Sequence, residues 1–344
     1  MDGVVGARRA LTLEAVASEA GVSRATVSRV VNGGNRVSPE TQQVVERAIE
    51  RLGYTPNRAA RALVTRRTDS IGLVIPEPTS RLFGDPFFPR LVRGISEVLT
   101  AGQEQLVLLA PQSNADNDRL FRYLTGGHLD GALLVSLHGN DPLPGLLWKR
   151  GVPVVVGGRP PFGVRVTYVD VDNVEGARSA VRHLIDSGRS RIATLTGPRD
   201  MAVAADRLEG YRSALSEARI AYDDGLVATG DFDPVTARER MAGMLAAHAD
   251  IDAVFAASDA MAVGAVQALR RSGRSVPGDV AVVGFDDSPL ASSAEPPLSS
   301  VRQPIEEMGR EMARLLTGMV VSGDRVARRV ILATELVVRA SSGR

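Results

Sequence analysis

Residues 12–32 read "TLEAVASEAGVSRATVSRVVN", and this stretch predicts two short amphipathic helices joined by a turn at Gly21. Apolar residues recur at the three-and-four spacing of a helix on both sides of the turn, at Leu13, Val16, Ala17 and Ala20 and then at Val27, Val30 and Val31. Thr12 and Ser23 precede the two runs and are suited to cap them. We therefore predict a helix-turn-helix, the motif whose second helix lies in the major groove of DNA.

The second helix carries an outer face that has almost nothing apolar to bury. Its members are Arg24, Ala25, Ser28, Arg29 and Asn32. Arginine donates paired hydrogen bonds to guanine O6 and N7, alanine contacts the methyl group of thymine, and hydroxyl and amide groups hold phosphates. This face predicts a protein–DNA interface.

A third helix follows and is expected to close the core of this small domain. Ser38 is its predicted N-cap, Pro39 its first residue and Gly53 its end. The residues expected on its inner side are Val44, Val45, Ala48 and Leu52. A three-helix bundle with a purely structural role is the alternative that the pattern leaves open.

Positive charge is concentrated at the amino-terminal end. Residues 1–68 contain 11 Arg and 6 acidic residues, a net charge of +5, whereas the whole chain has a net charge of +1. A small basic domain joined to a mildly acidic body is typical of a protein that binds the phosphate backbone. A solvated basic face is the alternative interpretation.

The composition excludes several classes of protein. The chain has no cysteine, and therefore no disulfide framework and no thiolate metal site. It shows no signal-peptide pattern and no run approaching the roughly 20 apolar residues of a transmembrane helix. With 344 residues, we expect two or three globular domains, a cytoplasmic location and no membrane partner.

Three motifs in a fixed order make the chain recognisable: "TVSRVVN" at 26–32, "LGYTPNRAARAL" at 52–63 and "IGLVIP" at 71–76. The chain resembles the LacI/GalR family of bacterial transcription regulators, and the likeness continues to its end. The resemblance implies an operator of pseudo-palindromic double-stranded DNA bound by a homodimer. The residues that it places on DNA are Thr12, Ser23, Arg24, Ala25, Thr26, Ser28, Arg29, Asn32, Arg36, Ser38, Thr41, Tyr54, Asn57, Ala60, Leu63 and Val64.

The segment 57–68 is predicted to be a hinge helix or linker between a headpiece at 10–56 and a core at 69–340. Eight or nine residues are too few for an isolated helix to be stable in water. The resemblance implies that this helix forms on DNA and that Leu63 enters the minor groove, where an apolar wedge kinks the duplex. A flexible arginine-rich linker would suit the residues nearly as well.

The core alternates short apolar runs with helical stretches, the sign of βαβ units around parallel sheets. Runs such as "SIGLVIP" and "GALLVS" precede 169, and "RIATLTG" and "VAVVGFDD" follow it. We predict an all-α helix-turn-helix headpiece plus an α/β periplasmic-binding-protein-like core with two parallel-sheet subdomains. The first subdomain is placed at about 69–169 and 302–328, and the second at about 170–301 and 329–340.

Ligands of such sheets bind outside the carboxyl ends of the strands, so effector contacts are sought there. The candidates are Glu77, Asp85, Phe87, Arg207, Ser258 and Asp286, with Asp85 and Phe87 expected in a loop after the first strand. Carboxylates, a serine and an arginine around an aromatic ring suit a polyhydroxylated ligand, because each buried hydroxyl needs a hydrogen-bond partner. For each carboxylate, a helix cap or a salt bridge is the alternative role.

A catalytic centre is not predicted. Asp286 and Asp287 are adjacent, so on a strand their side chains point to opposite faces. The four histidines lack metal-ligand spacing, and the single lysine, Lys149, lacks a phosphate-binding loop. We predict a DNA-binding regulator, with a repressor favoured, that responds to a sugar or oligosaccharide and needs no cofactor. Two alternatives remain: a sugar-binding module without a regulatory role, and a regulator that responds to a nucleobase or another metabolite.

Overall fold

The protein is described by a computed structural model that covers residues 12–31, 37–54, 67–112, 114–160 and 163–343. The chain divides after Thr68 into two compact units. The first contains the predicted headpiece and the second contains the α/β core.

The first unit contains three helices, α1 (Leu13–Ala20), α2 (Arg24–Val31) and α3 (Pro39–Leu52). The caps are those predicted: the Thr12 hydroxyl accepts from the backbone N–H of Ala15, and the Ser38 hydroxyl accepts from that of Thr41. Residues that pack the shared core are Val16, Ala17, Val27, Val45, Ala48 and Tyr54.

Val44 is not part of this core. Its side chain is 39% exposed, whereas Val45 is fully buried and Ile49 packs against the same cluster. Positions 45, 48, 49 and 52 follow the three-and-four spacing, and position 44 lies one step round the helix from that stripe. The prediction that Val44 faces inward was therefore wrong.

The second unit contains two six-stranded sheets, each formed around βαβ units. The elements of its first half are β1 (Ser70–Val74), α4 (Thr79–Gly84), α5 (Phe87–Ala101), β2 (Gln105–Leu109), α6 (Asn114–Thr125), β3 (Gly131–Val135), α7 (Leu143–Arg150), β4 (Val154–Gly157) and β5 (Thr167–Val171). The elements that follow are α8 (Asn173–Asp186), β6 (Ile192–Thr196), α9 (Ala202–Glu217), β7 (Val227–Thr229), α10 (Pro234–Ala247), β8 (Ala253–Ala256), α11 (Asp259–Arg271), β9 (Ala281–Asp286), α12 (Pro289–Ser293) and β10 (Ser299–Arg302). Three last elements complete both halves: α13 (Ile305–Ser322), β11 (Arg329–Leu332) and β12 (Glu335–Val337).

The first sheet has the order β11-β5-β4-β3-β1-β2, and the second has the order β12-β10-β9-β8-β6-β7. The paired strands run parallel except for β12, which is antiparallel to β10. The carboxyl ends of the parallel strands within each sheet therefore lie at one edge, where ligands of such sheets bind. The predicted fold class is confirmed.

The chain crosses between the halves three times, and all three predicted boundaries need correction. β11 pairs in parallel with β5, so residues 329–332 belong to the first half, although they were predicted in the second. Asp170 and Val171 also belong to the first sheet, because they pair with Ile331 and Leu332. Arg302, placed at the start of the returning segment, is still part of β10 in the second sheet.

Helices cover both faces of each sheet. In the first half α5 and α13 pack closely, because a Cβ at Gly94 would lie 2.0 Å from the carbonyl oxygen of Glu306, and one at Gly309 would lie 2.4 Å from that of Leu91. Such spacing admits only glycine. In the part of the chain that the structure describes, no helix combines the length and the apolar character needed to cross a membrane.

Candidate functional site

An open cavity of about 810 Å³ lies between the two halves of the core. The first half contributes the lining residues Arg81, Asp85, Phe87, Phe88, Val135, Ser136, Leu137, Val156, Gly157, Gly158, Arg159, Asp170 and Met308. The second half and the crossovers contribute Asn173, Met201, Ala202, Val203, Arg207, Phe232, Ser258, Asp286 and Gln303. The cavity therefore brings together five of the six predicted effector residues, all except Glu77.

Arg207 lies in the second turn of α9, inside the helix rather than at its start, and is 4% exposed. Its Nε donates to Asn173 Oδ1 at 2.9 Å, and its Nη1 donates to the carbonyl oxygen of Ala257 at 2.5 Å. The guanidinium carbon lies 3.6 Å from the ring centre of Phe285, which closes one face of the group. Among the described residues Nη2 has no hydrogen-bond partner, and this donor remains for a bound molecule.

Asp286 ends strand β9 beside Arg207. Its Oδ1 lies 3.7 Å from Arg207 Nη1 and accepts from Gln303 Nε2 at 2.5 Å. Its backbone φ is +109°, a conformation in which a residue other than glycine is strained and which is concentrated at binding sites. Burial raises the pKa of Asp286 well above its ordinary value, and the Arg207 charge opposes this rise.

Asp170 and Asn173 form the crossover from the first half to the second. The Asp170 carboxylate accepts from the backbone N–H of Val171 at 2.8 Å, from that of Arg159 at 2.9 Å and from Asn173 Nδ2 at 3.0 Å. Burial raises the pKa of Asp170 to about 6 despite these bonds. Through Asn173 this carboxylate is linked to Arg207, so one hydrogen-bonded chain joins the two halves.

Ser258 and Asp85 are in the cavity wall, but each already has a partner. The Ser258 hydroxyl caps α11 by accepting from the Met261 N–H at 3.2 Å. Asp85 Oδ1 accepts from the Phe87 N–H at 2.9 Å, and burial raises the pKa of Asp85. Phe87 was predicted in a loop, whereas it is the first residue of α5, with its ring edge-on to Phe88. The short helix α4 (Thr79–Gly84) between β1 and α5 was not predicted. It occupies part of the segment that was predicted as a loop after β1, so that Asp85 lies between two helices.

Glu77 is behind the cavity wall and does not line it. It is 3% exposed and holds three side chains: Arg81 Nη1 at 2.9 Å, His138 Nε2 at 3.3 Å and the Ser136 hydroxyl. Burial raises the pKa of Glu77, but the bonds from His138 and Ser136 and the Arg81 charge outweigh it and leave that pKa lowered. The predicted direct effector contact is therefore corrected, because Arg81 and Ser136 stand between this carboxylate and the cavity.

Contacts across the cavity join the two halves at several points. Arg159 donates two bonds to Asp206, at 2.5 and 3.2 Å. His138 Nδ1 lies 3.1 Å from Asp200 Oδ2, and the Gly139 N–H donates to the Asp200 carbonyl oxygen at 3.0 Å. These contacts connect the wall that the first half contributes to the wall that the second half contributes.

Two further contacts cross the same space. The Arg81 guanidinium lies 4.9 Å from the ring centre of Phe232, and Arg90 Nη1 donates to the Asp286 carbonyl oxygen at 3.3 Å.

Sequence reasoning missed Arg81, Asp170, Asn173, Phe232 and Gln303. The strand "TYVDV" followed by Asn173 was the available signal for Asp170 and Asn173, since polar residues at a strand end mark such sites.

The headpiece presents the predicted DNA-contacting face to solvent. Ser23, Arg24, Ala25 and Arg29 are exposed along α2 and its cap, and Arg24 Nε lies 2.7 Å from Glu14 Oε1. Tyr54 differs from these residues because its ring is 8% exposed and packs into the core. The predicted contacts Asn32, Arg36, Asn57, Ala60, Leu63 and Val64 lie outside the described residues.

Comparison with known proteins finds relatives of the whole chain. The family model for "Bacterial regulatory proteins, lacI family" matches residues 12–57, and that for "Periplasmic binding protein-like domain" matches residues 181–342. The HTH-type transcriptional regulator CelR of Thermobifida fusca is 52% identical over 337 residues, which cover 97% of this chain and 99% of the relative.

Solved structures give the same result. A "transcriptional regulator CelR-cellobiose complex" is 49% identical with a TM-score of 0.77, and the match covers 96% of this chain and 99% of that one. The lac repressor dimer bound to operator and the anti-inducer ONPF is 26% identical with a TM-score of 0.86, over 98% of this chain and 100% of that one.

Proposed function

The chain belongs to the lacI family of bacterial regulatory proteins and is a DNA-binding transcriptional regulator, and we propose that its effector is a neutral disaccharide of the cellobiose type. The observation that carries the proposal is the cavity between the two halves of the core, with its ring of hydrogen-bonding groups. The relative whose solved structure is a cellobiose complex is 49% identical over nearly the full chain.

The charges on the cavity wall favour a neutral ligand. Three lining arginines, Arg81, Arg159 and Arg207, face three lining aspartates, Asp85, Asp170 and Asp286. Each of these arginines already lies within 4 Å of a carboxylate of the protein, Arg81 at Glu77, Arg159 at Asp206 and Arg207 at Asp286, so none is an uncompensated charge that awaits a phosphate or carboxylate ligand. A sugar needs alternating donors and acceptors instead, because each hydroxyl both donates and accepts.

The apolar part of the wall favours a ligand with sugar rings. The rings of Phe87 and Phe232 lie on opposite sides of the cleft, and they offer apolar surface for the faces of pyranose rings. Apolar surface on both sides of the cleft suits a ligand with more than one ring.

We propose that Arg207, Asp286, Asp85, Phe87 and Ser258 contact the effector. Arg207 supports this role with the donor that has no partner within the described residues, and Asp286 with its strained backbone in the wall. Ser258 has a weaker basis, because its hydroxyl already accepts a bond in capping α11, which leaves its proton and one lone pair for a ligand. Asn173 and Gln303 join this set as the groups that orient Arg207 and Asp286.

We propose that the chain acts as a homodimer on a pseudo-palindromic operator in the bacterial cytoplasm, with repression as the favoured outcome. A two-fold symmetric protein presents two headpieces to two related half-sites. The contacts predicted for Arg24, Ala25 and Arg29 supply base recognition, and those predicted for Leu63 and the 57–68 segment supply the kink.

We further infer that the cavity binds its ligand without catalysis. The Asp170 carboxylate accepts three hydrogen bonds from the protein, and Asp286 is bonded to Gln303 beside Arg207. Asp287 is directed elsewhere, to Arg302 and Arg339. Carboxylates held by protein partners in this way are suited to binding a ligand rather than to exchanging protons with it.

Calorimetric titration of the full-length protein with a panel of sugars tests the proposed effector. We expect cellobiose to bind and maltose, which differs from it in the geometry of the glycosidic bond, to bind at least about tenfold more weakly, as expected when hydroxyl contacts are misplaced. A nucleobase and a sugar phosphate complete the panel. Tight binding of either of these without binding of any neutral disaccharide would overturn the proposal.

A further inference from the structure

Glu77 and His138 form a cluster that the proposed effector contacts do not use. The cluster consists of Glu77, Arg81, Ser136, His138 and Asp200. Glu77 follows strand β1, and Ser136 and His138 follow strand β3, so the first half supplies all members except Asp200. Asp200 comes directly before Met201, Ala202 and Val203, which line the cavity at the start of α9.

His138 bridges the two halves through both of its ring nitrogens. Nε2 lies 3.3 Å from Glu77 Oε1 in the first half, and Nδ1 lies 3.1 Å from Asp200 Oδ2 in the second. The imidazole is therefore placed between two carboxylates. Within the described residues these are the two charged groups that face it, while Arg81 contacts the Glu77 carboxylate from α4.

The protonation state of His138 decides whether both bonds exist. A protonated imidazole has two N–H donors and can bond both carboxylates at once, whereas a neutral one has a single N–H and turns a lone pair toward the other carboxylate. Loss of the proton therefore weakens either the anchor to Glu77 or the contact across the cleft. Glu77 and Asp200 raise the pKa of His138, with the bond to Glu77 as the largest cause and burial as the opposing one.

Glu77 also positions two side chains of the cavity wall. It bonds the Ser136 hydroxyl and Arg81 Nη1, and both of these side chains line the cavity. Arg81 in turn lies over the ring of Phe232 in the other half. One buried carboxylate thus holds two groups of the wall and the histidine that contacts the opposite half.

We propose that Glu77 is a positioning residue for effector binding and that, through His138 and Asp200, it makes effector binding strengthen as the pH falls. The proposal deepens the proposed function and depends on it for the ligand. Glu77 does not touch the effector: it holds Arg81 and Ser136 in the wall and holds His138 where its proton closes the cleft. Binding of the effector to the closed form is then coupled to proton uptake.

The first test needs no effector. The ring protons of His138 in the full-length protein are followed by NMR from pH 5 to 9, with the His138→Asn variant used to assign its signal. We expect His138 to titrate above the ordinary histidine value, and to titrate lower in Asp200→Asn and in Glu77→Gln. Titration at the ordinary value in the unaltered protein, or no change in Asp200→Asn, would overturn the proposal whether or not cellobiose is the effector.

The second test measures the Kd of cellobiose by calorimetry from pH 5.5 to 8.5, in two buffers with different ionisation enthalpies. We expect the Kd to rise about two- to fivefold with pH, the size expected for one partly exposed ion pair, with net proton uptake on binding. His138→Asn and Asp200→Asn should bind more weakly at low pH and show a flat profile. Since Asp200 is half exposed and outside the wall, the Asp200→Asn variant is expected to fold even if Glu77→Gln does not.

His128→Gln is the matched control, because His128 is an exposed histidine of the first half that stacks on Tyr123. It should keep the pH dependence of the unaltered protein. Cellobiose binding with a flat pH profile in the unaltered protein would contradict the inference while leaving the proposed function in place. If no disaccharide binds at any pH, the proposed effector fails, and the NMR titration still decides the inference.

Discussion

Arg207 is the side chain on which the polar contacts of the cavity converge. Its planar guanidinium is fixed by Asn173, by the Ala257 carbonyl group and by the Phe285 ring, which leaves Nη2 as a donor of defined direction. Because the group is largely buried, each bond that it makes to a ligand is stronger than the same bond at the surface. A lysine has neither the fork nor the flat face that these partners require.

Arg207→Lys should therefore reduce cellobiose affinity by about 100-fold or more, in line with the loss of buried charged hydrogen bonds. Operator binding in the absence of effector should remain within about threefold of the unaltered protein. Calorimetry and fluorescence anisotropy measure the two quantities. Arg212→Lys, a partly exposed position on the same helix that contacts Tyr222, is the control, and a variant at 207 with a full effector response would contradict this role.

Asp170 makes stability depend on pH in a direction opposite to that of most carboxylates. Its folded-state pKa is raised from 3.8 to about 6 by burial, so the fold favours the protonated form. The corresponding stabilisation is complete below about pH 4 and is lost as the pH rises through about 6. A shift of this size corresponds to about 3 kcal/mol at most.

We expect the unfolding free energy of the unaltered protein to fall relative to that of Asp170→Ala as the pH rises from 4 to 6.5. Chemical denaturation of both proteins at intervals across this range measures the difference. Asp118→Ala, at an exposed position of α6, should run parallel to the unaltered protein. A constant difference between the Asp170→Ala and unaltered curves would show that Asp170 does not titrate in this range.

At the residue level the sequence could indicate which residues lie near the cleft, but not which of them line it. Glu77 and Arg81 are four positions apart, and only the turn of the short helix α4 places Arg81 in the wall and Glu77 behind it. Asp286 was found because it ends a strongly apolar strand. Gln303 and His138 carry no local signal, since their roles arise from partners 17 and 62 positions away.

At the level of elements, α2 buries Val27 and packs Val30 and Val31 partly against the same core, which leaves its polar residues exposed on the opposite side. Arg24 is paired with Glu14 in the protein without DNA, whereas Arg29 is exposed and has no ion pair within the described part of the headpiece. An ion pair this exposed contributes little and can be exchanged for a base contact.

Arg29→Ala should weaken operator binding about tenfold to 100-fold and relax discrimination at one base pair of each half-site, as expected for a lost bidentate contact. Binding to operators with single substitutions, measured by anisotropy at constant salt, gives both quantities. Arg51→Ala, which breaks the Arg51–Glu19 pair in the same headpiece, should leave discrimination unchanged. Equal discrimination in the Arg29 variant would remove this residue from the base-reading set.

The elements themselves were largely predictable, and the exceptions share a physical cause. The caps Thr12 and Ser38 and the buried strands follow from local chemistry, and the structure contains them. The end of strand β5 and strand β11 were placed in the wrong half, because the half to which they belong depends on their pairing with each other across a long sequence separation. Val44 shows the same limit within a helix, because two adjacent valines fit the apolar spacing almost equally.

On the scale of the whole molecule, the core is two halves joined by three crossovers and by polar contacts across the cleft. The contacts of Arg159 with Asp206 and of His138 with Asp200 are weak individually. A ligand that bonds both walls therefore shifts the relative placement of the halves by its differential affinity alone. We propose that this shift alters operator affinity, and coupling of about 1–3 kcal/mol suffices for a 5- to 150-fold change.

The most direct test of this account is the operator affinity of the full-length protein with and without effector. A palindromic duplex selected from random DNA is titrated by fluorescence anisotropy, and saturating cellobiose is then added, with maltose as the control sugar. The account predicts a preference of at least about 10³-fold over random DNA and a change of at least about fivefold on addition of cellobiose alone. Equal affinity for palindromic and random duplexes, or an operator affinity that no bound sugar alters, would contradict it.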